Sequence, residues 1–233
     1  GQYGKTRVCE AIVGWADLML GARVRAVLEA EIAVTGGKDG RFRGVRYGTS
    51  WDEGVAGQHV SRAMPRHRLL DPKFREGFAE LGKLGLTFDS WHFHPQLPDL
   101  VDLARAFPGQ TIIVDHVGGM LGVGQYAGKS AEIWPMWKKS LQDLAGCPNV
   151  NIKLGGLGMT SFGFDFHFRD APPSSQELAA TWKPYIETCI EVFGPGRCMF
   201  ESNFPPDKQS CGYTELWNAF KLITAGASAS EKK

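Results

Sequence analysis

Short apolar runs alternate along this chain with longer stretches whose apolar residues recur every three or four positions. Runs of the first kind suit strands, in which neighbouring side chains point to opposite faces, and stretches of the second kind suit helices. The pattern predicts strands over residues 8–15 (VCEAIVGW), 42–47 (FRGVRY), 86–93 (LTFDSWHF), 111–117 (TIIVDHV), 150–154 (VNIKL) and 198–202 (CMFES). The continuous TIIV run is typical of a strand covered on both faces. Asp71-Pro72 reads as an N-cap and first-turn proline ahead of Phe74, Phe78 and Leu81 at helical spacing. Pro98 opens a second helix with Leu100, Leu103 and Phe107 on one stripe. Ser174-x-x-Glu177 is a capping-box pattern leading into Trp182, Ile186, Cys189, Ile190 and Phe193, with Gly194 at the stop. Pro184 inside that stretch predicts a kink or a delayed start. A last helix is predicted from Tyr213 to Ile223.

Repeated strand–helix units predict an α/β fold around a parallel sheet. Six strands are two short of a closed eight-stranded barrel, so closure does not follow from the pattern. Residues 35–41, 118–129 and 162–175 are expected to be mobile connections.

Composition narrows the picture. The chain has 233 residues, 43% hydrophobic and 22% charged, which suits one domain over residues 1–233. Lys+Arg 26 against Asp+Glu 25, with no long basic run, predicts neither a nucleic-acid nor a membrane-surface partner. No apolar run is long enough to span a membrane. Cys9, Cys147, Cys189, Cys198 and Cys211 are odd in number and lack a CxxC spacing, so free thiols and a reducing, cytoplasmic setting are expected. The chain opens without Met and enters an apolar run almost at once, which reads as a fragment.

In parallel α/β folds, ligands bind at the carboxyl ends of the strands. The polar residues expected there are Asp17, then Arg46, Tyr47 and Ser50, then His92 and His94, then Asp115 and His116, then Lys153, and finally Glu201, Asn203 and Asp207. Three of the six histidines fall at strand ends, while His59, His67 and His167 sit in connecting sequence. His92 and His94 are two apart, a spacing that on a strand puts two imidazoles on one face and suggests half of a metal site. Each candidate has a plain alternative. His92 serves a site or is a hydrogen-bonded sheet histidine. His94, before the abrupt exit at Pro95, and His116, before a Gly118-Gly119 turn that lets a ligand approach, have the same two readings. Asp115 should face away from His116 and act structurally. Arg46 either clamps a carboxylate with its planar fork or is a solvated charge near Arg41 and Arg43. Trp15 is either core or a platform for substrate. No GxGxxG opening a helix and no GxSxG elbow is present.

GWADL, FRGVRYGTSWD, FDSWHFHPQLPDL, IIVDHVGG, NVNIKLGG and RCMFESNFPPDK, in this order, resemble the amidohydrolase-related family of TIM-barrel hydrolases. Within it they are most similar to the branch of sugar-acid and dicarboxylate lactonases. The resemblance implies a (β/α)8 TIM barrel, here incomplete, with its first two strands and a final helix missing. It implies that the family's HxH lies on the absent first strand. Of the pair in this chain, only His94 corresponds to a recurrent histidine, and His92 is a neighbour. His116 corresponds to the sixth-strand histidine and Arg46 to a substrate-side arginine. Where the family often carries a water-activating Asp before an aromatic-Pro pair, this chain has Asn203, which has no proton-accepting group near neutral pH. The base would then be Asp207, Glu201 or a histidine.

The expected activity is hydrolysis of a small carboxylate-bearing lactone. His94, His116 and Asn203 are its expected catalytic residues, and Arg46, His92 and Trp15 contact the substrate. A divalent, zinc-type metal with His116 among its ligands is one implication of the resemblance, and a metal-free site is the other. The alternatives are a metal-dependent decarboxylase of the same superfamily and a non-catalytic barrel that has lost its base. The 233-residue chain alone is expected to be inactive, and its oligomeric state is not legible.

Overall fold

Alternation of short β-prone runs with amphipathic stretches folds here into six strands and six helices, seen in a computed structural model that describes residues 4, 9–55 and 64–232. The elements run β1 (Ile12–Gly14), α1 (Val24–Val34), β2 (Phe42–Gly48), α2 (Pro72–Lys83), β3 (Thr87–Trp91), α3 (Leu97–Ala106), β4 (Ile112–Val114), α4 (Ser130–Ala145), β5 (Val150–Leu154), α5 (Ser175–Phe193), β6 (Cys198–Phe200) and α6 (Tyr213–Ile223). Every strand pairs in parallel with the next, in the order β1-β2-β3-β4-β5-β6. The result is an open part of a barrel in which, among the described residues, β1 and β6 each keep one unpaired edge. His59 and the start of the first expected strand lie outside the described residues.

All six expected strands form, but four stop two or three residues before the end of the apolar pattern or one short of it. β3 ends at Trp91, β4 at Val114 and β6 at Phe200, just where polar residues begin. β1 is reduced to three residues. Asp71 caps α2 by accepting from the Lys73 amide at 2.8 Å, and Phe74, Phe78 and Leu81 are fully buried. The rings of Phe74 and Phe78 meet Phe88 edge-on at 6.0 and 5.0 Å, which fixes the outer face of β3 against α2. Burial of each such ring contributes about 1.5–3 kcal/mol.

Two helices, α1 and α4, had no start signal in the sequence. α1 has no side-chain cap, and α4 carries Pro135 within it. Packing decides both, through Val24 and Leu28 in one and Ile133, Trp137, Leu141 and Leu144 in the other. Pro184 does not delay α5. The helix starts at Ser175 behind the Ser174–Glu177 capping box and continues through the proline. Five buried apolar side chains, Leu178, Trp182, Ile186, Cys189 and Phe193, outweigh one lost backbone hydrogen bond. The connections expected to be mobile contain short 3-10 turns at Gly37–Asp39, Gly124–Tyr126 and Phe166–Phe168.

All five cysteines are free thiols. Among the described residues no helix is long and apolar enough to cross a membrane. An apolar cavity of about 540 Å³ opens beside β6, against α5 and α6, lined by Ile190, Phe200, Trp217 and Phe220. None of the charged strand-end groups line it.

Candidate active site

Since the helices cover Phe88 on the outer face, alternation turns Asp89 and Trp91 to the inner face, together with Arg46 of β2 and Lys153 of β5. Lys153 Nζ lies 2.6 Å from Asp89 Oδ2, 2.9 Å from Asp115 Oδ1 and 3.7 Å from Glu201 Oε2. Arg46 Nε lies 3.0 Å from Asp115 Oδ2. Burial raises the Asp89 carboxyl above its ordinary range despite the neighbouring ammonium. Burial also pushes Asp115 upward, but His116 when its ring is protonated, together with Lys153 and Arg46, outweighs it and holds that carboxyl below the usual value.

The expectation that Asp115 faces away from His116 is overturned. It presumed that the strand continues, whereas β4 ends at Val114 and His116 and Val117 adopt left-handed backbone at φ 53° and 49°. That turn cancels the alternation and delivers both side chains to one centre. A left-handed β-branched residue such as Val117 costs on the order of 1–3 kcal/mol, here set against its complete burial. Gly156 makes the room, because a Cβ there would stand 2.5 Å from the His116 ring.

The partners of His116 fix its tautomer. Nε2 lies 2.8 Å from Arg46 Nη2, and a guanidinium can only donate, so Nε2 accepts. Nδ1 therefore carries the proton and donates to Glu201 Oε1 at 2.5 Å, while the same oxygen accepts from the His116 amide at 3.2 Å. A neutral imidazole held by a carboxylate on Nδ1, with its lone pair on Nε2, is the arrangement of an oriented general base. Trp91 meets this ring edge-on at 4.7 Å.

Asn203 follows β6 in a left-handed conformation, φ 48°, which asparagine tolerates. Its Nδ2 donates to Asp207 Oδ1 at 2.6 Å, and Asp207 Oδ2 accepts from the Gly158 amide at 3.0 Å. One of the two Nδ2 N–H groups goes to Asp207, and Oδ1 is the acceptor of the amide. Burial pushes the Asp207 carboxyl up to about 7 in spite of these two donors.

Among the described residues, no hydrogen bond or ion pair joins the other candidates to this centre. His94 Nδ1 accepts from the Leu121 amide at 3.2 Å, so its ring proton is on Nε2. Its ring meets Tyr126 edge-on at 5.0 Å, and Tyr126 donates to Asp52 at 2.8 Å. Burial lowers the His94 pKa to about 4. His92 is completely buried and bonds Ser90 Oγ through Nδ1 at 3.0 Å, and burial lowers it too to about 4. With β3 ending at Trp91, the two rings do not share a partner. Trp15 is 57% exposed and stacks on Tyr47 at 6.2 Å, so it is not core. Asp89 and Trp91 were missed by the sequence reading. Their signal was present, as a polar and an aromatic residue on the inner phase of a strand whose outer phase is Phe88 and Ser90.

The protein-family model described as Amidohydrolase matches residues 6–233. The chain belongs to the amidohydrolase family. It is 34% identical over 192 residues to the uncharacterized protein y4mH of Sinorhizobium fredii, covering 82% of this chain and 57% of that protein. It is 27% identical over 229 residues to an L-fucono-1,5-lactonase of Burkholderia multivorans, covering 94% and 67%. The chain thus spans little more than half of the first of these relatives. The structure is similar to that of an amidohydrolase from Burkholderia multivorans with bound HEPES, with a TM-score of 0.74 at 25% identity over 99% of this chain and 71% of that one. A second structure of an amidohydrolase from that organism, with bound zinc, matches at a TM-score of 0.71 and 25% identity, covering 96% and 69%.

The described residues at this centre do not fit a metal. Both ring nitrogens of His116 are committed, Asp89 and Asp115 are paired with Lys153, and among the described residues no group of three or more His, Cys, Asp or Glu side chains could hold an ion.

Proposed function

We propose that this chain supplies the strand-end site of a hydrolase that opens a small carboxylate-bearing lactone by attack of water. The observation that carries the reading is the Glu201–His116–Arg46 line, which sets an oriented base beside a cation suited to a carboxylate. The lactonase named among the relatives supports the substrate class.

Arg46, with its side chain 40% exposed, takes the substrate carboxylate on its free edge. A carboxylate that draws the guanidinium outward leaves His116 Nε2 to accept a proton from water. Water oxygen bonds to the lactone carbonyl carbon, the ring C–O bond breaks, and the proton passes from Nε2 to the departing alkoxide. Glu201 holds the imidazole in the required tautomer and stabilises the imidazolium. Asn203 Oδ1 accepts a hydrogen bond from the water and so orients it. His94, kept neutral by burial, offers its Nε2–H to the substrate as a donor. His92 and Trp15 are assigned to the walls of the substrate space. No step requires a metal ligand from these residues.

Lactone hydrolysis by the intact protein, with His116→Ala and Asn203→Ala beside it, tests the reading. Loss of the base should lower kcat/KM by about 10²–10⁴-fold, and loss of the orienting amide should lower it less. Unchanged turnover in both variants would show that the site is elsewhere.

A further inference from the structure

Lys153 is the group that the reaction above leaves unused, and it holds the centre of the site. Its stem rises from β5, and its ammonium stands among Asp89, Asp115 and Glu201 with only 17% of the side chain exposed. One of its three N–H groups is donated to Asp89 at 2.6 Å, and Asp115 Oδ1 stands 2.9 Å away as an ion-pair partner. The third carboxylate, Glu201, is 3.7 Å away, too far for a hydrogen bond, and is already bound to His116. At least one donor of a fixed cation is therefore left over, one carboxylate away from the ring that would deprotonate water.

We infer that Lys153 is the resident cation of this site: its ammonium fills the place among Asp89, Asp115 and Glu201 that a divalent ion would need, and its remaining N–H binds the carbonyl oxygen of the substrate. The second half rests on the hydrolase reading, and the first does not. Charge excludes a second cation, because a divalent ion entering here would meet the ammonium and the Arg46 guanidinium while finding both Asp carboxylates engaged. Burial would lower the lysine pKa, but Asp115, Asp89 and Glu201 outweigh it and raise the value, so the group stays an ammonium. A charged amine is no nucleophile, so covalent chemistry through Lys153 is excluded. As a preorganised donor in a water-poor site, it stabilises the negative charge that grows on the carbonyl oxygen when water adds.

The test has a metal arm and a kinetic arm, both on the intact protein. Zinc titrated into metal-stripped wild type should find no stoichiometric site, and Lys153→Ala, which vacates the position, should gain one zinc per chain. Lys153→Ala and Lys153→Met should each lose about 10²–10³-fold in kcat with KM little changed, and added methylammonium should restore part of the Lys153→Ala loss. One tightly held zinc in wild type, removed by a chelator together with activity, overturns the inference. So does a folded Lys153→Ala protein that takes up no zinc, or a Lys153→Met protein with kcat within a few-fold of wild type. Should Lys153→Ala not fold, the wild-type titration and Lys153→Met decide. If wild type opens no lactone at all, the hydrolase reading falls, and the metal arm still decides whether Lys153 is the resident cation.

Discussion

Asp207 is completely buried, yet its carboxyl titrates near neutrality, at about 7 against an ordinary 3.8. The folded state therefore binds this proton more tightly than the unfolded chain. Its stabilising contribution is fully present below about 3.8 and is lost as pH rises to about 7, on the order of 4 kcal/mol across the window. His92 and His94 act in the opposite sense, because their folded values of about 4 lie below the ordinary 6.5 and the stability they lend is lost as pH falls. Asp207→Asn keeps an acceptor for the Gly158 amide and removes the titration. The melting temperature of wild type relative to Asp207→Asn should therefore fall between pH 5 and pH 8. Thermal melts of the two proteins across that range check this, and a constant difference would contradict it. At this scale Arg46, His116 and Asn203 were legible as polar residues ending apolar runs. Tautomers were not, because they depend on partners 70 and 85 residues away in the chain.

Among the elements, the turn after β5 has a geometry that bears directly on the site. Gly156 has φ 72° and faces the His116 ring, so an added Cβ meets both backbone strain and a clash that only movement of the catalytic candidate relieves. Gly156→Ala should destabilise the protein by about 1–3 kcal/mol and lower lactone hydrolysis in parallel with His116→Ala. Gly196→Ala, where nothing lies within 4 Å, should stay near wild type in both denaturant melts and turnover. Equal effects of the two substitutions would refute the role given to the turn. α2 and α5, through their caps, and α3 and α6, through their apolar spacing, were readable from local signals. α1 and α4 were not, since their stability comes from packing rather than from caps or propensity.

For the molecule as a whole, the open sheet is the feature with consequences. β1 and β6 are edges among the described residues, and Val13 and Met199 upon them are 41% and 38% exposed. Unpaired strand edges are templates for pairing with another chain. The 233-residue chain by itself should self-associate with rising concentration and open no lactone, and Val13→Lys with Met199→Lys should reduce the association. Light scattering coupled to gel filtration measures the first, and a monodisperse, active chain would sink the expectation. The apolar cavity beside β6 adds to the same exposed flank.

Local order was determined by the sequence alone. The periods of two and of three to four, the caps at Asp71 and Ser174 and the polar residues closing each apolar run specify parallel β/α units and the end of the sheet that carries chemistry. Those signals are local, because they depend on where a side chain points relative to its own neighbours. Only the tertiary structure decided which charges meet. Lys153 finds Asp89 across 64 residues, and Glu201 finds His116 across 85, because strand register sets the height of each side chain and the left-handed turn at His116 sets its direction. A residue's own neighbourhood carries no trace of either, so the charged centre appears only when the strands lie side by side.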